Sequence, residues 1–470
     1  MKRSFFRFGE SLGYCNIREK IIMLEPNVIP KKEPIIHVGI VLPEDDFTSL
    51  SIQVPAGEDY QIEFSGQSFL LEPETELFFK LSGDSVSFTI GSKNYSAPNE
   101  ISLFPVFKSP SLKPKQGALV KNVLAGRQFH WRKYINVTLP ETLIIRQYEN
   151  RLILINALPL EKYLMCVATS EMGAACPAAL LEAQTIAARS WLLANVEQKH
   201  RHLGMDVCND DCCQRYQGTT FLTEQSVKGA ENTYGLVLLY GDKICDARYS
   251  KSCGGVMEAF ESIWDGPALP YTQVKADAPQ DPPEWHKPLS DEQNLKIWLD
   301  SVPHTYCSPH VVPENTLKKY LGNVDEEGAY FRWTIEISQQ DLTRHLNKEI
   351  SPAIKAVKAL RITSRGGSGR ANKMDIVYLD SENQQQVFHV QSEYDIRRLL
   401  HPSFLYSSAV RIETVPSKAT IPQTFVYRGA GWGHGVGLCQ IGALGMSLQG
   451  IDSREIVQHY YPGSTLKKIY

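Results

Sequence analysis

From residue 35 to about 130 the chain repeats short runs in which apolar and polar positions alternate. SLSIQVP, YQIEFSG, SFLLEP, ELFFKL and SVSFTIG are each closed by Gly, Pro, Asp or Asn. Period-two alternation bounded by turn residues predicts short strands, so 35–124 reads as a small all-β module. Two more strand-like stretches follow in FHWRKYINVTLP and TLIIRQYENRLILINALP, with a hairpin turn at Tyr148-Glu149-Asn150. The period then changes. Leu180, Ala183, Ile186, Ala187, Trp191 and Ala194 recur every three or four positions, which predicts a long, mostly buried helix from Pro177 to about Val196.

Strand-like runs resume at GLVLLYG and ICDARYS. Residues 276–330 open with the Pro-rich DAPQDPPEW and carry two short helical patterns, DEQNLKIWLDSV and ENTLKKYLG, and read as an insertion. Strands return at YFRWTIEIS, VKALRITSR, KMDIVYLD, AVRIETVP and TFVYRG, and a short helix is predicted from Ser453 to His459. The expectation is an α+β fold, β-rich and multi-lobed, with one long buried helix after Glu171. Its parts are a tail over 1–34, the β module over 35–124 and a main domain over 125–470.

Charge and composition narrow the function. With 49 Lys plus Arg against 52 Asp plus Glu, the 470-residue chain lacks the basic excess that nucleic acid demands. Ordinary apolar content, 43%, excludes disorder. No window reaches the roughly 18 apolar residues of a membrane span. The first 34 residues contain basic positions but no apolar core, so they do not read as a secretory signal. Ten cysteines are too few for a disulfide scaffold. Cys15, Cys166, Cys176, Cys245, Cys253, Cys307 and Cys439 are scattered singly and read as small buried hydrophobes.

Three features carry candidate chemistry. Glu171, in ATSEMG, follows a run of apolar and small residues, where desolvation would raise its pKa toward that of a general acid; the alternative is a solvated charge favoured by a helix dipole. His202, Cys208, Cys212 and Cys213 offer one nitrogen and three sulfurs, a set suited to tetrahedral Zn²⁺, or else stand as free thiols in a loop. His304, Cys307 and His310 form a looser second group. Gly429, Gly431, Gly433, Gly435 and Gly437 alternate along the chain, either to let a ligand lie on bare backbone or to allow a tight strand crossing.

The segments LPLEKYLMCVATSEM, AALLEAQTIAARSWLL, DVCNDDCCQRYQG, YSKSCGGVMEAFESIW and GAGWGHGVGLCQIGALGMSLQG, closed by HYYPGSTL, together resemble the SpoIID/LytB family of sporulation and amidase-enhancer proteins. The resemblance covers about 125–275 and 330–470. It implies a peptidoglycan lytic transglycosylase of the cell envelope, with Glu171 as catalytic acid and 125–470 as the catalytic domain. It also implies zinc bound by His202, Cys208, Cys212 and Cys213, although Cys212 stands where histidine is usual. Gln184, Arg189, Ser250, Gly254, Gly255 and His434 are expected to line the glycan cleft. Gln184 and Arg189, five positions apart, differ by about 140° on one helix, so Arg189 reads better as structural. The alternative is a non-catalytic, peptidoglycan-binding partner of a cell-wall amidase.

Overall fold

The computed structural model describes residues 23–470 except 99, 128–131, 174, 195, 322–328, 351–352 and 418. Cys15 and residues 1–22 of the expected tail lie outside the described residues. The first half of the chain builds two sheets. One has seven strands in the order Val207–Cys208, Ile35–Val41, Arg151–Pro159, Thr142–Tyr148, Ile101–Pro105, Tyr60–Phe64, Gln67–Leu71. The other has six: Lys133–Leu139, Ala118–Ala125, Ser49–Gln53, Glu76–Ser82, Ser85–Ile90, Lys93–Ala97. Alternation sets which side chains turn inward; Leu77 and Phe79 are buried while Glu76, Phe78 and Lys80 are exposed. The inward residues of both sheets, Ile36, Val38, Ile52, Tyr60 and Phe79 among them, share one core.

Residues 35–124 do not form a sheet of their own. Ile35–Val41 pairs with Arg151–Pro159, and Ile101–Pro105 pairs with Thr142–Tyr148. Ladder hydrogen bonds therefore cross the boundary expected near 124. The hairpin at 148–151 is a two-residue turn: Tyr148 pairs with Arg151, and Glu149 and Asn150 take φ of 46° and 59°, which matches the right-handed twist of the strands.

Two helices follow, α1 (Leu160–Glu171) and α2 (Ala178–Ala194), the second starting just after Pro177. Every residue of α1 is buried. A helix with no solvent face has no amphipathic stripe, which is why the pattern did not announce it. Glu171 stands ahead of the long helix as expected, and it does so as the last residue of α1. One side of α2 meets the sheet core through Ala188, Leu192 and Leu193. Its other side, Leu180, Ala183 and Ile186, packs with the helices Gln440–Leu448 and Ser453–Tyr460.

Residues 332–430 supply a further lobe. Arg332–Ser338, Thr424–Ala430 and Val410–Val415 form one sheet, and Ile354–Arg365, Ala371–Asp380 and Gln385–Val390 another. Helices Gln339–Ile350 and Glu393–Leu400 close a core of Trp333, Leu342, Val357, Ile376, Ile396 and Phe425. In the 276–330 segment the two expected helices are Glu292–Asp300 and Glu314–Leu321.

Candidate functional site

Glu171 sits at the carboxyl end of α1, where the helix dipole opposes a negative charge. Its Oε1 accepts hydrogen bonds from the Arg215 backbone N–H and the Tyr249 hydroxyl, each at 3.0 Å. The Lys251 ammonium donates to the Glu171 carbonyl at 2.9 Å. Burial pushes the Glu171 carboxyl up; the nearby Asp211 carboxylate adds to this, while Arg215 and Lys251 pull against it, and the net direction is upward. Asp211 is itself held by the Arg215 guanidinium, Nη2 to Oδ2 at 2.9 Å. A buried carboxyl whose pKa is raised, beside a second carboxylate already ion-paired, can serve as a proton donor.

Tyr249, Lys251 and Arg215 are contacts that sequence reasoning did not single out. The signal was available, since Tyr249 and Lys251 flank Ser250 in YSKSCGG and Arg215 follows Gln214 in CCQRYQG.

The residues expected to line the cleft fall into two groups. Ser250 stands between Tyr249 and Lys251, which bond Glu171, and His434 lies on the neighbouring stretch that packs against Ser250. Ser250 Oγ accepts from Gly435 N at 3.2 Å, and the strand Tyr249–Ser250 pairs with Leu438–Cys439. His434 packs edge-on to Trp264 at 4.8 Å, and burial, followed by Arg248, Arg397 and Arg370, holds its imidazole pKa far below the ordinary range. It is therefore neutral at pH 7. The other group is turned inward. Gln184 is fully buried against Gln440, and Arg189 is buried in a bidentate pair with Glu161, Nε to Oε1 at 2.9 Å and Nη2 to Oε2 at 2.5 Å. A Cβ on Gly254 would lie 2.7 Å from Gly431 N, and one on Gly255 2.7 Å from Trp298 Cζ2.

The alternating glycines resolve in favour of the tight crossing, and not as an extended strand. Gly431, Gly433, Gly435 and Gly437 have φ of 76°, 97°, 74° and 70°. The space beside each is filled by the protein itself: Ser252 O, Ser250 Cβ, the Arg370 guanidinium and Arg248 O lie within 3 Å of where a Cβ would be. Gly437→Ala would place that atom 2.0 Å from Arg248 O in a left-handed backbone. The backbone conformation alone costs roughly 1–3 kcal/mol. A loss of unfolding free energy well beyond that is expected from denaturant titration, and an unchanged midpoint would contradict the close crossing.

Half-exposed aromatic rings stand beside this segment. Trp432 stacks on Tyr406 with centroids 4.1 Å apart, and the Arg248 guanidinium lies 4.0 Å above Trp264. Such faces suit the apolar side of a sugar ring.

The soft-ligand cluster forms with one substitution in its membership. His200, Cys208, Cys212 and Cys213 bring one ligand atom each within 4.8 Å of one another. Cys208 Sγ lies 3.0 Å from Cys212 Sγ, and His200 Nε2 lies 3.8 Å from Cys212 Sγ. His202, the expected nitrogen donor, is exposed on the short turn Arg201–Leu203 instead. The two histidines are two positions apart, and only the turn decides which one faces the thiols. The looser group separates: His304 stacks on His310 with centroids 5.9 Å apart, while Cys307 is buried among other thiols.

Among the described residues no helix is long and apolar enough to cross a membrane. Residues 148–240 match the family described as Stage II sporulation protein, SpoIID, and residues 258–437 match a domain of unknown function, DUF8618. An uncharacterized protein of Brachyspira hyodysenteriae is 25% identical over 323 residues, 68% of this chain and 70% of that protein. The amidase enhancer of Bacillus subtilis is 26% identical over 312 residues, 64% of this chain and 39% of that protein. The SpoIID match spans α1, Glu171, α2, the thiol cluster and Arg215, whereas Tyr249 and Lys251, the other groups that bond Glu171, lie just beyond it. Over residues 148–240 the chain is similar to the SpoIID family, and the Bacillus subtilis amidase enhancer is similar over a longer stretch.

Proposed function

We propose that the chain is a peptidoglycan lytic transglycosylase of the cell envelope, cleaving the β-1,4 bond between N-acetylmuramic acid and N-acetylglucosamine. The observation that carries this reading is the buried carboxyl of Glu171, with its raised pKa and its ion-paired carboxylate neighbour. Hydrolytic glycosidases work with two carboxyl groups. A transglycosylase needs one. Glu171 protonates the leaving glycosidic oxygen, and its carboxylate then accepts the proton of the muramic C6 hydroxyl. O6 bonds to C1 as the glycosidic bond breaks, which closes a 1,6-anhydro ring and restores the acid. The Tyr249 hydroxyl and Arg215 N–H hold Oε1 in both states.

A second reading is favoured by the name of the Bacillus subtilis relative. In it the same region binds glycan and stimulates a cell-wall amidase without cutting. One experiment separates the two. Purified chain is incubated with intact and with peptide-stripped peptidoglycan, with and without a cell-wall amidase, and the products are weighed by mass spectrometry. Anhydromuramic ends formed by the chain alone support the first reading. Faster amide release with no such ends supports the second, and neither product defeats both.

We also propose that His200, Cys208, Cys212 and Cys213 bind Zn²⁺ in a structural role. Three sulfurs and a nitrogen converging within 4.8 Å fit that ion, and four protein ligands leave no open position. When bound, the ion supplies cross-linking rather than Lewis acidity. Cys213 lies two residues before Arg215, whose N–H holds Glu171, so the cluster stiffens one support of the acid.

A further inference from the structure

Three cysteines and an aspartate that are scattered along the sequence meet in the interior. Cys253, Asp277, Cys307 and Cys439 are all buried, and their ligand atoms lie within 4.8 Å of one another. Two short strand pairs and one turn bring them together. Tyr249–Ser250 runs beside Leu438–Cys439, which places Cys253 near Cys439. Val256–Met257 pairs with Lys275–Ala276, which places Asp277 over Gly255 with a backbone bond of 2.9 Å. Tyr306 N then donates to Asp277 O at 2.6 Å and delivers Cys307.

We propose that these four side chains form a second, structural zinc site with three sulfur ligands and one carboxylate oxygen. Cys253 Sγ and Cys307 Sγ are 3.6 Å apart, and Cys253 Sγ lies 3.5 Å from Asp277 Oδ2. A disulfide would need about 2.05 Å. Tetrahedral Zn²⁺ with Zn–S near 2.3 Å and Zn–O near 2.1 Å sets these edges at about 3.8 Å and about 3.6 Å. The surroundings suit anionic ligands. Cys439 Sγ accepts from the backbone N–H groups of Cys253 and Gly442, at 3.2 and 3.3 Å, which is the outer support that ligating thiolates receive. Asp277 Oδ1 accepts from the Tyr460 hydroxyl at 2.8 Å, which fixes the other oxygen of the carboxylate. Two guanidiniums grip the adjoining backbone, the buried Arg370 at Cys253 O (3.1 Å) and the half-buried Arg332 at Gly254 O (2.9 Å), and balance the excess negative charge of the set.

The site staples the root of one region to the other. Asp277 and Cys307 belong to the 258–437 match, whereas Cys253 and Cys439 lie just outside its two ends. It is independent of the His200 cluster, and the test keeps the two apart. Crystals of the full chain, purified without chelator, are measured on both sides of the zinc absorption edge. An anomalous peak enclosed by Cys253, Cys307, Cys439 and Asp277 is the expected result, whatever is seen at His200. No peak there, or continuous density joining two of the sulfurs, overturns the proposal. In solution, protein carrying Cys212→Ser and Cys213→Ser should retain about one equivalent of zinc, and adding Cys307→Ser should remove it. Zinc content that is unchanged by Cys307→Ser in folded protein would also overturn the proposal.

Discussion

Glu171→Gln should lower the release of anhydromuramic ends by roughly 10²–10⁴-fold, the range that general acid–base catalysis commands. The amide keeps an oxygen for the Arg215 N–H and the Tyr249 hydroxyl, so the pocket persists. What is lost is the proton that the leaving oxygen must receive. In the wild-type protein activity should decline on the alkaline side as Glu171 loses that proton, at a pH above the ordinary carboxylate range because burial raises it. Cleavage by the Gln variant at near wild-type rate would remove Glu171 from the mechanism.

The same substitution makes a stability prediction of definite sign. Because the native carboxyl binds its proton more tightly than the unfolded one, the native state holds more protons between the ordinary and the raised pKa. Stability therefore falls as pH rises through that window. Glu171→Gln deletes this titration, so the variant should lose less stability between acidic and neutral pH. Unfolding free energies measured against pH for both proteins check it. Parallel curves would mean that Glu171 titrates normally in the folded chain.

The second large effect is structural. Arg189→Ala should destabilise the fold by about 3–5 kcal/mol, the range for removing one partner of a buried ion pair. Glu161 would keep Gly235 N at 3.2 Å and the Tyr470 hydroxyl at 2.7 Å but lose both guanidinium bonds. The double variant Arg189→Met, Glu161→Leu should recover much of the loss, since no buried charge is left alone. Chemical denaturation of these two variants beside the wild type measures the loss and its recovery. An Arg189→Ala protein of wild-type stability that no longer binds glycan would instead return Arg189 to the cleft.

Elements with one wet and one dry face were legible. Leu77 and Phe79 alternate with exposed neighbours, and the turn at Glu149-Asn150 carries residues that tolerate positive φ. Helix α1 was not legible, because burial on every side erases the period that a helix ordinarily shows. The proposed acid was marked by its motif, but its position at the negative end of α1 was not. Of its partners, Tyr249 stands 78 residues away and Arg215 44, and no local rule couples such positions.

By itself the sequence determined the fold class, the family resemblance and the candidate chemistry, because alternation, helical period and motif spacing are properties of neighbouring residues. Only the tertiary structure decided which polar groups face which. It chose His200 over His202 at the thiols, because a turn rather than a spacing aims the ring. It turned Arg189 inward to Glu161, where a charge must find its partner away from water. It also gathered Cys253, Asp277, Cys307 and Cys439 from four separate segments into one buried knot. That last convergence depends on strand pairings between distant stretches of chain, and such pairings leave no mark on the residues taken one at a time.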